Sequence, residues 1–339
     1  VERRPLGERV PLGRSRAWTT RLAFGAAGIG NLFTAVSDED AAEAVGAAWE
    51  AGIRSFDTAP HYGLGLSERR LGTALRGRPR GQFTVSTKVG RLLEPVRAAS
   101  AGELADEFAD DFAVPATHRR VWDFSADGVR RSLDASLERL GLDHVDIVHL
   151  HDPDGHEDDA LRHAYPALER LRAEGVVKAI GIGMNQSAMP ARFVRDTDVD
   201  VVLLAGRYTL LDQSALSDLL PEAARRGVAV VAAGVFNSGL LAAPAPGATY
   251  DYAAAPPGLL ARALRLQATC ERHGVPLRAA AARFPLGHPA VAGILIGLRN
   301  AREVADAAHQ SHRPIPGALW RDLLAEGLLP EGTPFPEGN

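Results

Sequence analysis

Short apolar runs alternate with longer amphipathic runs along most of the chain. Arg21–Gly25 reads as a first strand. Asp38 then caps a helical run that Gly52 ends. Ile53–Asp57 reads as strand, Ser67 caps the next helix, and Phe83–Lys88 is the third strand. The alternation continues through helix Ala126–Leu140, strand Val145–His151, helix Glu157–Glu174, strand Val177–Gly183, a short helix near Met189–Val194 and strand Val199–Leu204. Helix Gln213–Arg226, strand Val228–Ala232, a helical stretch Pro257–Phe284, strand Ala292–Ile296 and helix Ala301–Gln310 complete it, and Ala318–Glu326 is an extra helix. Strands alternating with helices predict a parallel sheet with helical crossovers. Eight such units predict a closed (β/α)8 TIM barrel, here one domain over residues 1–339. The alternative, an open doubly wound sheet, announces itself by a glycine-rich first turn. Gly28 and Gly30 lack the third glycine of that signature.

Two stretches interrupt the pattern. Residues 90–123 form the longest irregular insertion, directly after the third strand, where a long loop in a barrel favours function. Residues 237–256 follow the seventh strand.

The period-two alternation within strands sorts the polar positions. Ser55 and Asp57 oppose Phe56. Thr84, Ser86 and Lys88 oppose Phe83 and Val85. Ile147, His149 and His151 oppose Val148 and Leu150. Apolar faces should meet the helices, so the polar faces should point into the barrel. Asp57, Lys88 and His151 then end three adjacent strands at the rim where barrel enzymes keep their chemistry. Tyr62 lies in the loop just beyond Asp57. Singly, each has an ordinary explanation: a buried acceptor, a solvated rim charge, a packed histidine. Together at one rim they point to proton transfer. A phenol titrates near 10, and a neighbouring ammonium lowers that value. Asp57 can hold Lys88, and His151 can orient a reacting oxygen. The set suits alcohol–carbonyl interconversion, with hydride exchanged with a cofactor.

Composition narrows the classes. The chain has 339 residues, 46% hydrophobic and 24% charged, with net charge −4, so no broad basic surface invites nucleic acid. The single cysteine, Cys270, excludes an internal disulfide and a multi-cysteine metal site. No run of about 18 apolar residues suggests a membrane span, and no leader-like segment precedes the first strand. The expectation is a cytoplasmic protein acting on a small molecule, without metal, membrane or nucleic-acid partner.

The segments "FDTAPHYG", "STKVG" and "DIVHLHDPD" resemble the three motif segments of the aldo-keto reductase superfamily, in order and at strand ends. The resemblance runs from about Arg21 to Gln310. It implies a catalytic tetrad of Asp57, Tyr62, Lys88 and His151, with His151 preferred over His149 because it stands five residues after Asp146. "GIGMNQ" and "GVFNSGLL" resemble the family's bacterial aldose 1-dehydrogenases, of L-fucose and D-threo-aldose type. Oxidation of an aldose at C1 to the lactone is the implied reaction. Pyridoxal 4-dehydrogenases and general aldehyde or ketone reductases share the pattern, and a cofactor-sensing subunit is a third reading. The resemblance also implies NADP or NAD. Asn185 takes the place of the usual Ser-Asn pair, while Ala205 and Ala233 replace an expected glutamine and aromatic. The pyrophosphate falls to Asn237, Ser238 and Gly239, and to Gly297, Arg299 and Asn300 at the start of the last barrel helix. Arg299 argues for a 2′-phosphate and Glu303 for a bare ribose; the resemblance tips the balance to NADP. For substrate, the insertion offers Arg91 and Trp122.

Overall fold

The computed structural model describes residues 7–96, 111–251 and 253–336. Eight parallel strands close a barrel in chain order: β1 (Leu22–Gly25), β2 (Ser55–Asp57), β3 (Thr84–Val89), β4 (Ile147–His151), β5 (Ala179–Met184), β6 (Val201–Ala205), β7 (Ala229–Ala233) and β8 (Val291–Gly297). The register sets Asp57 beside Ser86, Lys88 beside His149, and His151 beside Gly183. This is the predicted (β/α)8 barrel.

Ten α-helices of seven residues or more follow among the described residues: α1 (Asp38–Glu50), α2 (Leu66–Leu75), α3 (Ala126–Leu140), α4 (Tyr165–Ala173), α5 (Ala188–Asp196), α6 (Leu219–Arg226), α7 (Pro257–Arg272), α8 (Leu277–Arg283), α9 (Ala301–Ser311) and α10 (Gly317–Ala325). The outward strand residues, among them Phe24, Phe56, Val85, Val148 and Leu150, pack against the helices as the main core. Inside the barrel the wall is uneven. β6 to β8 contribute Val201, Leu203, Val231 and Leu295, whereas β2 to β4 contribute Ser55, Thr84, Ser86 and His149. The extra helix α10 is anchored by Trp320, which is fully buried and whose ring lies 6.2 Å from that of Phe284. Cys270 is buried in α7. No helix among the described residues is long and apolar enough to cross a membrane.

Several local expectations are corrected. Ser37, not Asp38, caps α1, its side chain accepting the Asp40 amide. Ser67 is not a cap: α2 starts at Leu66 behind Gly65, and the buried Ser67 hydroxyl bonds Thr58 and the Ala26 carbonyl instead. The run Glu157–Glu174 is not one regular helix. A wider π-type turn at Ala160–Ala164 precedes α4, where Pro166 has no amide to donate. Pro257–Phe284 splits into α7 and α8 around Gly274, at φ 66°, and Pro276. α6 begins later than expected, at Leu219, because Asp218 caps it.

Two features are new. Arg9–Pro11 pairs with Trp18–Thr20 as an antiparallel hairpin under the barrel, with Leu12 and Ala17 buried among the interior side chains. This hairpin is the barrel's floor. The insertion after β3 is ordered at its base rather than irregular: Arg91–Pro95 pairs with His118–Trp122. Residues 97–110 of that insertion lie outside the described residues.

Candidate active site

Asp57 and His151 are the last residues of their strands, and Lys88 is the penultimate residue of β3. All three are buried. Lys88 Nζ donates to Asp57 Oδ2 at 2.6 Å and to the Thr58 carbonyl at 3.0 Å. Ser86 donates to Asp57 Oδ1 at 2.7 Å. Tyr62 is carried over this pair by the loop between β2 and α2. That loop turns sharply, with Gly63, Leu64 and Gly65 all at positive φ. A Cβ on Gly63 would lie 2.1 Å from the Gly30 carbonyl oxygen, so only glycine lets the two loops touch. The cluster at Gly28–Gly30 thus packs beneath the Tyr62 loop.

The structure brings all four predicted tetrad residues together. Lys88 Nζ is 4.6 Å from the Tyr62 ring centre, and the Tyr62 ring meets His151 edge-on at 5.8 Å. Three neighbours were not foreseen. His61 lies 5.5 Å, ring to ring, from His151. Phe112, from the insertion, stacks on Tyr62 at 6.2 Å and meets His61 at 5.2 Å. Asp152 follows His151 with its backbone at φ 39°, a conformation side-chain-bearing residues seldom adopt. Asp152 accepts from Arg91 at 2.8 Å and lies 3.5 Å from His151 Nε2. Adjacency to Tyr62 was the available signal for His61. Phe112 had none, since its place depends on the insertion folding back.

Burial dominates the electrostatics. It raises the Tyr62 pKa more strongly than Lys88 lowers it, and Asp57 adds to the rise, leaving the phenol at about 12. This corrects the expectation of a net lowering. For Lys88 burial lowers the pKa, but Asp57 and Tyr62 together raise it further, so the ammonium is secure. Burial, then Arg91 and Lys88, hold His151 well below the usual imidazole range. His61 falls to about 2 and His149 to about 3, again chiefly by burial. The site therefore presents a neutral phenol, a fixed ammonium and neutral imidazoles. Such a set can pass a proton to or from a substrate oxygen and hydrogen-bond that oxygen without adding charge.

The predicted substrate residues are placed differently from one another. Arg91 is buried beside Asp152, against the tetrad. Trp122 is not an open platform: Arg91 covers its ring at 4.4 Å, and Phe124 and His156 pack on it at 5.8 and 5.2 Å.

At the rim, Asn185 is exposed just past β5, and Ala205 and Ala233 end β6 and β7. Asn237, Ser238 and Gly239 take positive φ in succession. The Asn237 amide donates to the Gly206 carbonyl at 3.2 Å, tying two loops together. Past β8, Asn300 caps α9 by accepting the Glu303 amide at 2.9 Å. Arg299 is paired with Glu303, donating to Oε1 at 3.0 and 2.6 Å. A Cβ at Gly239 or Gly297 would meet no atom within 4 Å, so a phosphate chain has clear access to backbone there. The residues present fit a dinucleotide. A wider surface groove of about 710 Å³, bordered by Asp212, Arg262 and Glu331, lies elsewhere, and no tetrad residue lines it.

Comparison with known proteins gives a consistent result. A model of the aldo/keto reductase family matches residues 21–321. A D-threo-aldose 1-dehydrogenase of a Pseudomonas species is 48% identical over 91% of this chain and 94% of its own. A pyridoxal 4-dehydrogenase of Microbacterium luteolum is 41% identical over 95% and 98%. Among solved structures, the holo form of an aldo-keto reductase from Bacillus halodurans superposes with a TM-score of 0.74 at 23% identity, covering 96% of this chain and 97% of that one.

Proposed function

The chain belongs to the aldo/keto reductase family, and on that premise we propose that it is an NAD(P)-dependent dehydrogenase oxidising the C1 hydroxyl of an aldose to the lactone. The bound nicotinamide supplies the hydride acceptor. Everything else falls to side chains of this chain. Tyr62 is the acid/base: in oxidation its phenolate takes the C1 hydroxyl proton, and in reduction its phenol returns one. Lys88 favours the phenolate, and Asp57 with Ser86 holds Lys88 in place. His151, neutral, hydrogen-bonds the reacting oxygen. Asn185, Asn237, Ser238, Gly239, Gly297, Arg299 and Asn300 are the cofactor contacts of this reading, with Glu303 bearing on the ribose.

The observation that carries the aldose assignment is the Arg91–Asp152 ion pair beside His151. A polyhydroxylated substrate needs donors and acceptors around the carbon that reacts, and this pair offers both. The 48% identical relative, named for aldose oxidation, agrees. The pyridoxal reading is favoured by one feature, the stacked Tyr62 and Phe112 rings, which suit a flat heteroaromatic. Steady-state kinetics on L-fucose, D-arabinose, D-glucose and pyridoxal-type compounds test the assignment. Fucose-like and arabinose-like sugars should outperform glucose. Undetectable aldose oxidation with efficient turnover of pyridoxine would overturn the sugar and keep the family.

On the cofactor, the Arg299–Glu303 pair shifts the balance from NADP towards NAD, because a 2′-phosphate would have to displace a carboxylate already on the arginine. The same reading takes the chain as one catalytic domain, cytoplasmic, acting on a small molecule without metal, membrane or nucleic-acid partner.

A further inference from the structure

Beneath the tetrad the barrel interior leaves a cavity of about 30 Å³. Its polar lining is Thr19, Ser55, Asp57, Thr84, Ser86 and His149; the rest of its lining is apolar, with Val201, Leu203, Val231 and Leu295 forming an aliphatic wall on β6 to β8. As little as 10–15 Å³ of such space admits one water molecule, so the cavity has room for up to about two. His149 is 3% exposed, and its Nδ1 makes no hydrogen bond to any described residue. The ring has room because β5 carries Gly181 alongside it: a Cβ there would lie 2.8 Å from His149 Nδ1. Ser55 and Thr84 bond each other at 2.9 Å. Each Asp57 oxygen has one side-chain donor, Ser86 or Lys88, whereas a carboxylate oxygen can accept two.

We propose that His149 and the hydroxyls of Ser55, Thr84 and Ser86 hold two buried waters under Asp57, and that these waters govern how tightly Asp57 holds Lys88. The aliphatic wall could have been continued around the barrel; a polar half and a buried imidazole instead require partners, and water is the only group small enough. Water donating to Asp57 spreads the carboxylate charge downwards. The ammonium is then less fully neutralised and pulls harder on Tyr62 above it. A dry chamber would tighten the Asp57–Lys88 pair and make the Tyr62 phenolate harder to form. His149 is thus a positioning residue, two places before His151 on the same inward face of β4, touching neither substrate nor cofactor.

This inference rests on Tyr62 being the acid/base, which Tyr62→Phe tests separately without altering the chamber. Its own test has two parts. A high-resolution crystal structure of the wild-type protein should show ordered water within hydrogen-bond distance of His149 and of Asp57 or Ser86. The pH profile of L-fucose oxidation should then be compared for His149→Leu and His149→Gln. Leu should move the alkaline limb upwards by about half a unit, roughly a threefold loss of turnover at a pH on the limb, while Gln, which can still bond water, should leave it in place. Thr84→Val removes a chamber hydroxyl from another strand and reads out the same shift if the Leu variant folds poorly. An empty chamber, or a limb that stays put in both His149→Leu and Thr84→Val, would overturn the proposal.

Discussion

The Lys88 ammonium lies 4.6 Å from the centre of the Tyr62 ring while bonded to Asp57 at 2.6 Å. One cation therefore serves two anions, a permanent carboxylate and a phenolate that exists only when a proton leaves. Tyr62→Phe keeps the packing and removes the transferable proton. Turnover should fall by about 10²–10⁴-fold, in keeping with the loss of a general acid–base group, with cofactor affinity nearly unchanged by fluorescence titration. Wild-type turnover where chemistry limits the rate would rule out the role.

The two reaction directions should respond to pH differently. With the Tyr62 phenol at about 12, the phenolate fraction rises about tenfold per pH unit through the neutral and mildly alkaline range. Oxidation should accelerate accordingly, whereas reduction, which uses the phenol, should stay flat there. Lys88→Met should push the oxidation limb higher still. Parallel initial-rate profiles in both directions provide the check; an oxidation limb that levels off near pH 7 would contradict the burial-dominated tyrosine.

Acid should unfold the protein steeply. His61, at about 2, His149, at about 3, and His151, well below its usual range, are neutral in the folded state, but near 6.5 when unfolded. Their folded pKa values are depressed, so below about pH 6.5 the unfolded chain binds more protons than the folded one. Stability is then fully present above that pH and falls as pH drops. The upper bound for three such groups is about 4 kcal/mol per pH unit, from about 1.4 each. Urea denaturation at pH 7, 6 and 5 should show the loss, and a stability constant across that window would refute it.

Cofactor choice should hinge on Arg299 and Glu303. Glu303→Gln frees the arginine and should improve NADP binding relative to NAD, while Arg299→Ala should weaken NADP more than NAD. Equal effects on both cofactors in equilibrium titrations would place Arg299 away from the 2′ position.

Asp152→Asn keeps the shape of the pocket wall and removes its charge. KM for aldoses should rise about tenfold, the loss expected for one charge-assisted hydrogen bond, with kcat little changed. The KM for a simple aldehyde lacking vicinal hydroxyls should not move. An equal rise for both substrates would make Asp152 a structural residue.

Much of this was legible in the chain. Period-two alternation placed Asp57, Lys88 and His151 on inward faces, and the barrel brings these three ends together with Tyr62. What escaped was whatever depends on long-range folding. Phe112 reaches Tyr62 only because the insertion folds back, and Asp152 meets Arg91 at the start of that insertion, just past the end of β3. The direction of the Tyr62 shift could not be read, because charge neighbours are visible in a motif whereas depth of burial is not. Arg299 and Glu303 were weighed as rivals for a ligand; four residues apart at a helix start, they satisfy each other first. The floor hairpin was missed because its strands have three residues each, too short for any periodicity to show.

That hairpin also leads into the seam that joins the first barrel strand to the last. Thr20 sits against Gly293, the Ile294 amide bonds the Arg21 carbonyl, and β1 takes β8 as one of its two neighbours, Leu22 facing Ile294 across roughly 270 positions. During synthesis the first strand therefore emerges long before one of its flanks can be covered. Until β8 leaves the ribosome, the seam between β1 and β7 stays open, with backbone groups unpaired and aliphatic residues showing. Closure late in translation makes the nascent chain, rather than the finished barrel, the form most exposed to aggregation, and a protein shortened before residue 291 would never pass that stage.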